Sequence, residues 1–132
     1  MIRIELQTWQ QTEMIPITHE VQQALNDSGI KEGVCHLYVP HTTAGLAINE
    51  NADPMVAQDV LHVIDHLIPF SDSTYRHMED NSATHVKAIL FGTSETVLVQ
   101  EGRLLLGTWQ GIFFCELDGP RQRHFFVKAM AG

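Results

Sequence analysis

Eight histidines in 132 residues equal the lysines and arginines together, and three of them stand where an imidazole could do chemistry. His41 follows Pro40 at the end of an apolar run and opens the small-residue stretch His41-Thr42-Thr43-Ala44-Gly45, which leaves room for a ligand beside the ring. His77 and His85 bracket the end of a polar segment. Brought together, three imidazoles would hold a zinc-type ion with one coordination position open, as catalytic sites require. Spacing alone equally allows three independent, hydrogen-bonded histidines. His62 and His66 have the i, i+4 spacing of a zinc-protease helix, but Val63 stands where that motif needs its Glu base. A helical wheel puts them with Gln58, Asp59 and Asp65, opposite Val56, Val60, Val63, Ile64, Leu67 and Ile68, which is the pattern of a solvated face.

Carboxylate chemistry concentrates in Asn49-Glu50-Asn51-Ala52-Asp53, at the junction of an extended run and a helix start. Asp53 suits a cap, whereas Glu50 could serve as a base or support a metal ligand. Trp109 and Gln110 could line a pocket with an indole face and an amide, although an aromatic in a strand is usually core. Cys35 and Cys115 sit in separate apolar runs and read as buried free thiols. His36, His19 and His124 read as structural or exposed.

Period and punctuation place these residues on helices, strands and loops. Ile2, Ile4 and Leu6 alternate with Arg3, Glu5 and Gln7 as in a half-buried strand. Thr18 begins a short helix with Val21, Ala24 and Leu25 inward and Gly29 at its end. Residues 33 to 40 form a strand, and 42 to 48 a second extended piece with a glycine bulge or bend. Asp53-Pro54 starts a helix that runs to about Leu67. Residues 70 to 84 read as a functional loop. From His85 onward the pattern predicts strands only, with turns at Gly92-Thr93, Glu101-Gly102 and Asp118-Gly119-Pro120. The result is one α+β domain over residues 1 to 132, with two helices packed on an antiparallel-dominated sheet or sandwich. A formal charge of −8 argues against a nucleic-acid partner. The polar, alternating N-terminus argues against a membrane span or signal peptide and for the cytoplasm.

Ser94, Val97, Val99 and Gly102, then Gly107-Thr108-Trp109-Gln110 and Ile112, resemble in order and spacing the signature of the YjbQ family. Residues 41 to 54, Tyr75-Arg76-His77 and His85-Val86-Lys87-Ala88 resemble its other blocks. The resemblance implies a trimeric α+β subunit with a histidine-rich, metal-holding pocket in which His41, His77 and His85 bind a divalent cation, zinc before magnesium. It also implies Asn49, Glu50, Asp53, Thr108, Trp109 and Gln110 as pocket residues. Ile89 departs from the pattern, since a hydroxyl residue is common there. The activity implied is a secondary thiamine-phosphate synthase reaction, joining a pyrimidine pyrophosphate to a thiazole phosphate. Two alternatives stand beside it. One is a zinc-dependent hydrolase of a small anionic substrate, with Glu50 as base and Lys87 steering the anion; the other is a non-catalytic trimeric module binding a metal or small ligand.

Overall fold

The computed structural model describes residues 1–76 and 81–132. In chain order the elements are β1 (Ile2–Gln7), β2 (Glu13–Pro16), α1 (Thr18–Ser28), β3 (Gly33–Tyr38), β4 (Ala44–Glu50), α2 (Pro54–Leu67), α3 (Ser82–Phe91), β5 (Ser94–Gln100), β6 (Arg103–Leu104), β7 (Gln110–Glu116) and β8 (Gln122–Ala131). A five-stranded sheet runs β1-β8-β3-β5-β6 and a three-stranded sheet β2-β7-β4. Every pairing is antiparallel. Strand β1 shows the predicted alternation of half-buried and exposed residues.

Both sheets contribute to one core. Cys35, Leu37, Phe125 and Val127 of the larger sheet meet Leu46, Ile112 and Phe114 of the smaller, with Val21 and Leu25 of α1. Strand β7, paired on both edges as the centre of its sheet, is also buried on both faces. Helix α2 starts as predicted: the Asp53 carboxylate accepts from the Met55 amide at 2.9 Å and Pro54 takes the first helical position. The predicted hairpin turn is present, with Glu101 at φ 53° and Gly102 at φ 77° joining paired Gln100 and Arg103.

Three expectations need correction. There are three helices among the described residues, not two, and the third carries His85, which was expected to head a strand. Residues 82–91 bury Ala83, Thr84, Lys87 and Ala88, a helical repeat that the β-branched and aromatic residues of the same stretch mask. Of the run from Arg103 to Gln110 only Arg103, Leu104 and Gln110, which opens β7, are strand, because a turn at 107–110 closes on itself through the Gln110 amide, which donates to the Gly107 carbonyl at 3.1 Å. On α2 the apolar side is only partly covered: Val56, Val60, Ile64 and Ile68 are half-buried, whereas Val63 and Leu67 are exposed together with His62 and His66.

Two antiparallel lengths fix how far apart the candidate residues lie. Strand β4 covers about 20 Å from Ala44 to Glu50 at ~3.4 Å per residue. Helix α2 then returns about the same distance at ~1.5 Å per residue, so that its Asp65 pairs with Lys87 of α3. The end of α3 is fixed at the Ala44 end of β4. The Leu46 amide donates to the Gly92 carbonyl at 2.9 Å, and a Cβ on Gly45 would lie 2.6 Å from that same oxygen.

Candidate functional site

His41 lies between β3 and β4 on a loop tied from several sides. The Val39 amide donates to the Thr93 carbonyl at 2.8 Å, and the Leu117 amide to the Thr43 carbonyl at 3.2 Å. Arg123 Nη2 donates to the Thr43 hydroxyl at 2.9 Å. The His41 Nε2 sits 3.1 Å from the His124 carbonyl and 3.2 Å from its amide. With Nε2–H donated to that carbonyl, Nδ1 becomes the nitrogen with a lone pair, the tautomer a ligand histidine adopts when a backbone oxygen orients it. Burial, and then the Arg123 and His124 charges, lower the His41 pKa against the smaller upward effect of the His124 carbonyl. The shift favours the neutral ring, the form that metal binding requires.

His85 comes to the same place from α3. A cavity of about 590 Å³ is lined by His41, Thr42, His85 and, one helical turn beyond His85, Ala88 and Ile89. A second, of about 420 Å³, shares His41 and His85 and adds Asn81, Arg121 and Arg123. His77 lies outside the described residues. Among those described, no group of three His, Cys, Asp or Glu side chains could hold a metal ion. His41 and His85 thus bring two imidazoles to one cavity. Their softness fits zinc better than magnesium.

Beneath this cavity lies a buried polar network. Glu116 is fully buried and accepts from Arg123 through both oxygens, at 2.9 Å from Nε and 2.5 Å from Nη2. It also accepts from the Thr8 hydroxyl and the Leu117 and Asp118 amides. Burial pushes its carboxyl up, but the bonds from Arg123, Thr8 and Asp118 outweigh that and bring its pKa below the ordinary value. Asp118 behaves alike, burial being overcome by Asn81 and Arg121. The buried Asn81 Oδ1 has no hydrogen-bond partner among the described residues, while its Nδ2 donates to Asp118 at 3.1 Å.

Lys87 does not face the histidines. Positions two apart on a helix point to nearly opposite sides, and Lys87, 2% exposed, turns inward to Asp65 beside Gln11, Thr12 and Phe70. Glu50 and Asp53 line a third cavity of about 520 Å³ near Glu13 and Gln58. Glu50 accepts from the Ala52 amide, and the Asn49 side chain accepts from the Glu50 amide. Strand pairing sets Glu50 opposite Gln110, and the Asn51 amide donates to the Trp109 carbonyl at 2.8 Å. Gln110 Oε1 folds back onto the Gly107 amide at 2.8 Å, and Thr108 and Trp109 stand exposed. The candidate residues therefore form two groups at opposite ends of β4: His41 and His85 at one, and Asn49, Glu50, Asp53, Thr108, Trp109 and Gln110 at the other.

Sequence patterns did not single out Arg121, Arg123, His124, Asn81 or Glu116. A signal existed for Arg123, which shares strand parity with the inward Phe125 and Val127 and so needed a buried acid opposite. His124 packs edge-on against His41 with ring centroids 4.9 Å apart, a contact between strands that no local pattern encodes.

The chain matches the family described as UPF0047 protein YjbQ-like over residues 2–132. It belongs to the YjbQ family. It is 50% identical to the UPF0047 protein YugU of Bacillus subtilis, covering 96% of each chain. It is 46% identical to the UPF0047 protein MJ1081 of Methanocaldococcus jannaschii, covering 97% of this chain and 92% of the other. A YjbQ-family crystal structure from Clostridium acetobutylicum superposes with a TM-score of 0.96 at 45% identity, over 98% of this chain and 100% of that one. A YbjQ-like protein from Sulfolobus solfataricus gives 0.94 at 37%, over 99% and 96%. The α+β architecture is thus that of the YjbQ family. Among the described residues, no helix is long and apolar enough to cross a membrane.

Proposed function

We propose that this YjbQ-family protein is a metal-dependent enzyme acting on a small phosphorylated substrate, with His41, His85 and His77 as ligands of a zinc ion. The observation that carries the reading is that His41 and His85, distant in the chain and on different elements, line the same two adjoining cavities. Zinc held there would supply Lewis acidity toward a phosphoryl oxygen. His41 offers an unprotonated ring because burial and neighbouring positive charge lower its pKa. Arg121, half exposed in the cavity wall and paired with Asp118, is the cation that faces an anionic substrate there; Lys87 turns away to Asp65. Ile89 gives one wall an apolar surface suited to a heteroaromatic ring.

The joining of a pyrimidine pyrophosphate to a thiazole phosphate is the reaction to test first. The thiazole ring nitrogen would form a bond to the pyrimidine methylene carbon as the bond from that carbon to the pyrophosphate oxygen breaks, and pyrophosphate would leave with the electron pair. The same reading takes the working form as a cytoplasmic homotrimer. Metal analysis of untagged protein beside a His41→Ala variant tests the site, with loss of metal expected; unchanged content removes His41 from the ligand set. Pyrophosphate release only when both substrates are present supports the synthase. Phosphate release from either substrate alone supports a hydrolase, and binding without turnover leaves the non-catalytic module.

A further inference from the structure

We propose that Asn81 is a specificity residue of the His41 and His85 cavity, its side-chain carbonyl accepting a hydrogen bond from the exocyclic amino group of a nitrogen heterocycle bound there. The inference rests on the reading of that cavity as a substrate site and does not depend on the metal. Asn81 is 8% exposed and stands at the N-cap of α3. An asparagine in that position ordinarily turns its side-chain oxygen to the first helical amides. Here it makes no such cap: the Thr84 amide and hydroxyl donate to the Asn81 backbone carbonyl instead, at 3.1 and 2.7 Å. The side chain is drawn off to Asp118, to which its Nδ2 donates at 3.1 Å, and its Oδ1 has no hydrogen-bond partner among the described residues.

Asp118 decides which end of that amide meets the cavity. Burial raises its carboxyl, but the bonds from Asn81 and Arg121 outweigh that, and an ionised carboxylate can only accept. Turned the other way, the amide would set its oxygen against a carboxylate oxygen. Asp118 lies outside the cavity wall, whereas Asn81 forms part of it beside His41, His85 and Arg121. The oxygen is therefore the end of the amide offered to what occupies the cavity. The neighbouring cations are bonded elsewhere, Arg121 to Asp118 and Arg123 to Glu116 and Thr43. A buried acceptor of this kind selects for a donor, because a ligand without one leaves it unpaired. Helix geometry sets the shape of that ligand. His85 and Ile89 follow Asn81 at steps of four residues, about 6 Å each at ~1.5 Å per residue, along one face of α3. The face runs from acceptor through imidazole to the apolar Ala88 and Ile89, and the two adjoining cavities follow it. A flat ring beside the imidazoles then lies against the apolar end and directs an amino substituent at Asn81. In the proposed reaction this seats an amino-bearing pyrimidine and not the thiazole, whose ring nitrogen carries no hydrogen.

Two probes of equal size test this: an aminopyrimidine and the methylpyrimidine substituted at the same ring carbon, which differ by one donor group. Each is titrated into the full chain and followed by NMR, once with zinc and once with a chelator, at a pH where both probes are neutral. The amino probe should bind about 10- to 100-fold more tightly and should shift the side-chain NH2 resonance of Asn81. Asn81→Leu should bring the two affinities together. Asp118→Asn puts a neutral amide opposite Asn81, no longer dictates which end of it faces the cavity, and should narrow the preference while leaving the Asn81 backbone contacts in place. Equal affinities in the native protein, an Asn81 resonance that the amino probe leaves unmoved, or a preference unchanged in both variants would each overturn the proposal. Binding of neither probe would overturn it together with the ring seat. A preference that persists with chelator, beside unchanged metal content in His41→Ala, would sink the metal site and leave the role of Asn81 standing, so the two readings can fail separately.

Discussion

Replacing Arg123 by Met should destabilise the fold by about 3–5 kcal/mol, because it leaves the Glu116 carboxylate buried without its counter-charge. The side chains of the pair are 5% and 0% exposed and joined by two parallel bonds, so water cannot replace the lost partner. With a urea dependence of about 2 kcal/mol per molar, the unfolding midpoint should fall by about 2 M. Glu116→Leu should cost at least as much, since it strands the guanidinium and also the Leu117 and Asp118 amides. The double variant should be more stable than Glu116→Leu alone, having removed the stranded charge and left the same amides open. The pH dependence gives an independent sign. In the native protein the Glu116 pKa lies below its usual 4.5, so its contribution is present above about pH 4.5 and is lost as pH falls through the lowered value. Without Arg123 the upward push of burial is opposed only by Thr8 and the amides. The carboxyl should then rise above its usual range, with stability greatest at low pH and lost as pH rises through the new value. The gap between the two proteins should therefore narrow from about pH 7 down to about pH 5, measured by urea unfolding at each pH. A cost under about 1 kcal/mol, a double variant equal to the sum of the singles, or a gap that widens on acidification would refute the account.

Three further outcomes can be checked by thermal or urea unfolding. Asp65→Ala should cost about 1–3 kcal/mol because it removes the acceptor bonded to the buried Lys87 ammonium from the half-exposed end of the pair, whereas Lys87→Met, of similar volume, should stay within about 1 kcal/mol. Gly111→Ala should cost about 1–3 kcal/mol, since the new Cβ would meet the Asn51 side chain at 2.5 Å; equal stability would mean Asn51 moves freely. Asp53→Ala should cost about 1 kcal/mol through loss of the bond to the Met55 amide, and no change would show that Pro54 alone sets the start of α2.

How much of the fold and site was legible in the sequence depended on whether the deciding interaction was local. The β1 alternation, the Asp53-Pro54 helix start and the Glu101-Gly102 turn are set by neighbours within a few residues, and the structure shows all three. The residues around His85 were misread because the period there is carried by small and polar side chains: Ala83, Thr84, Lys87 and Ala88 face inward, while the large apolar ones face out. In that segment the ordinary equation of apolar with buried is reversed. Helix and strand make different sites from the same residues. On a strand His85 and Lys87 would share a face and serve one site. On a helix they diverge, so Lys87 turns inward to pair with the half-exposed Asp65 and His85 shares its cavity with Ile89.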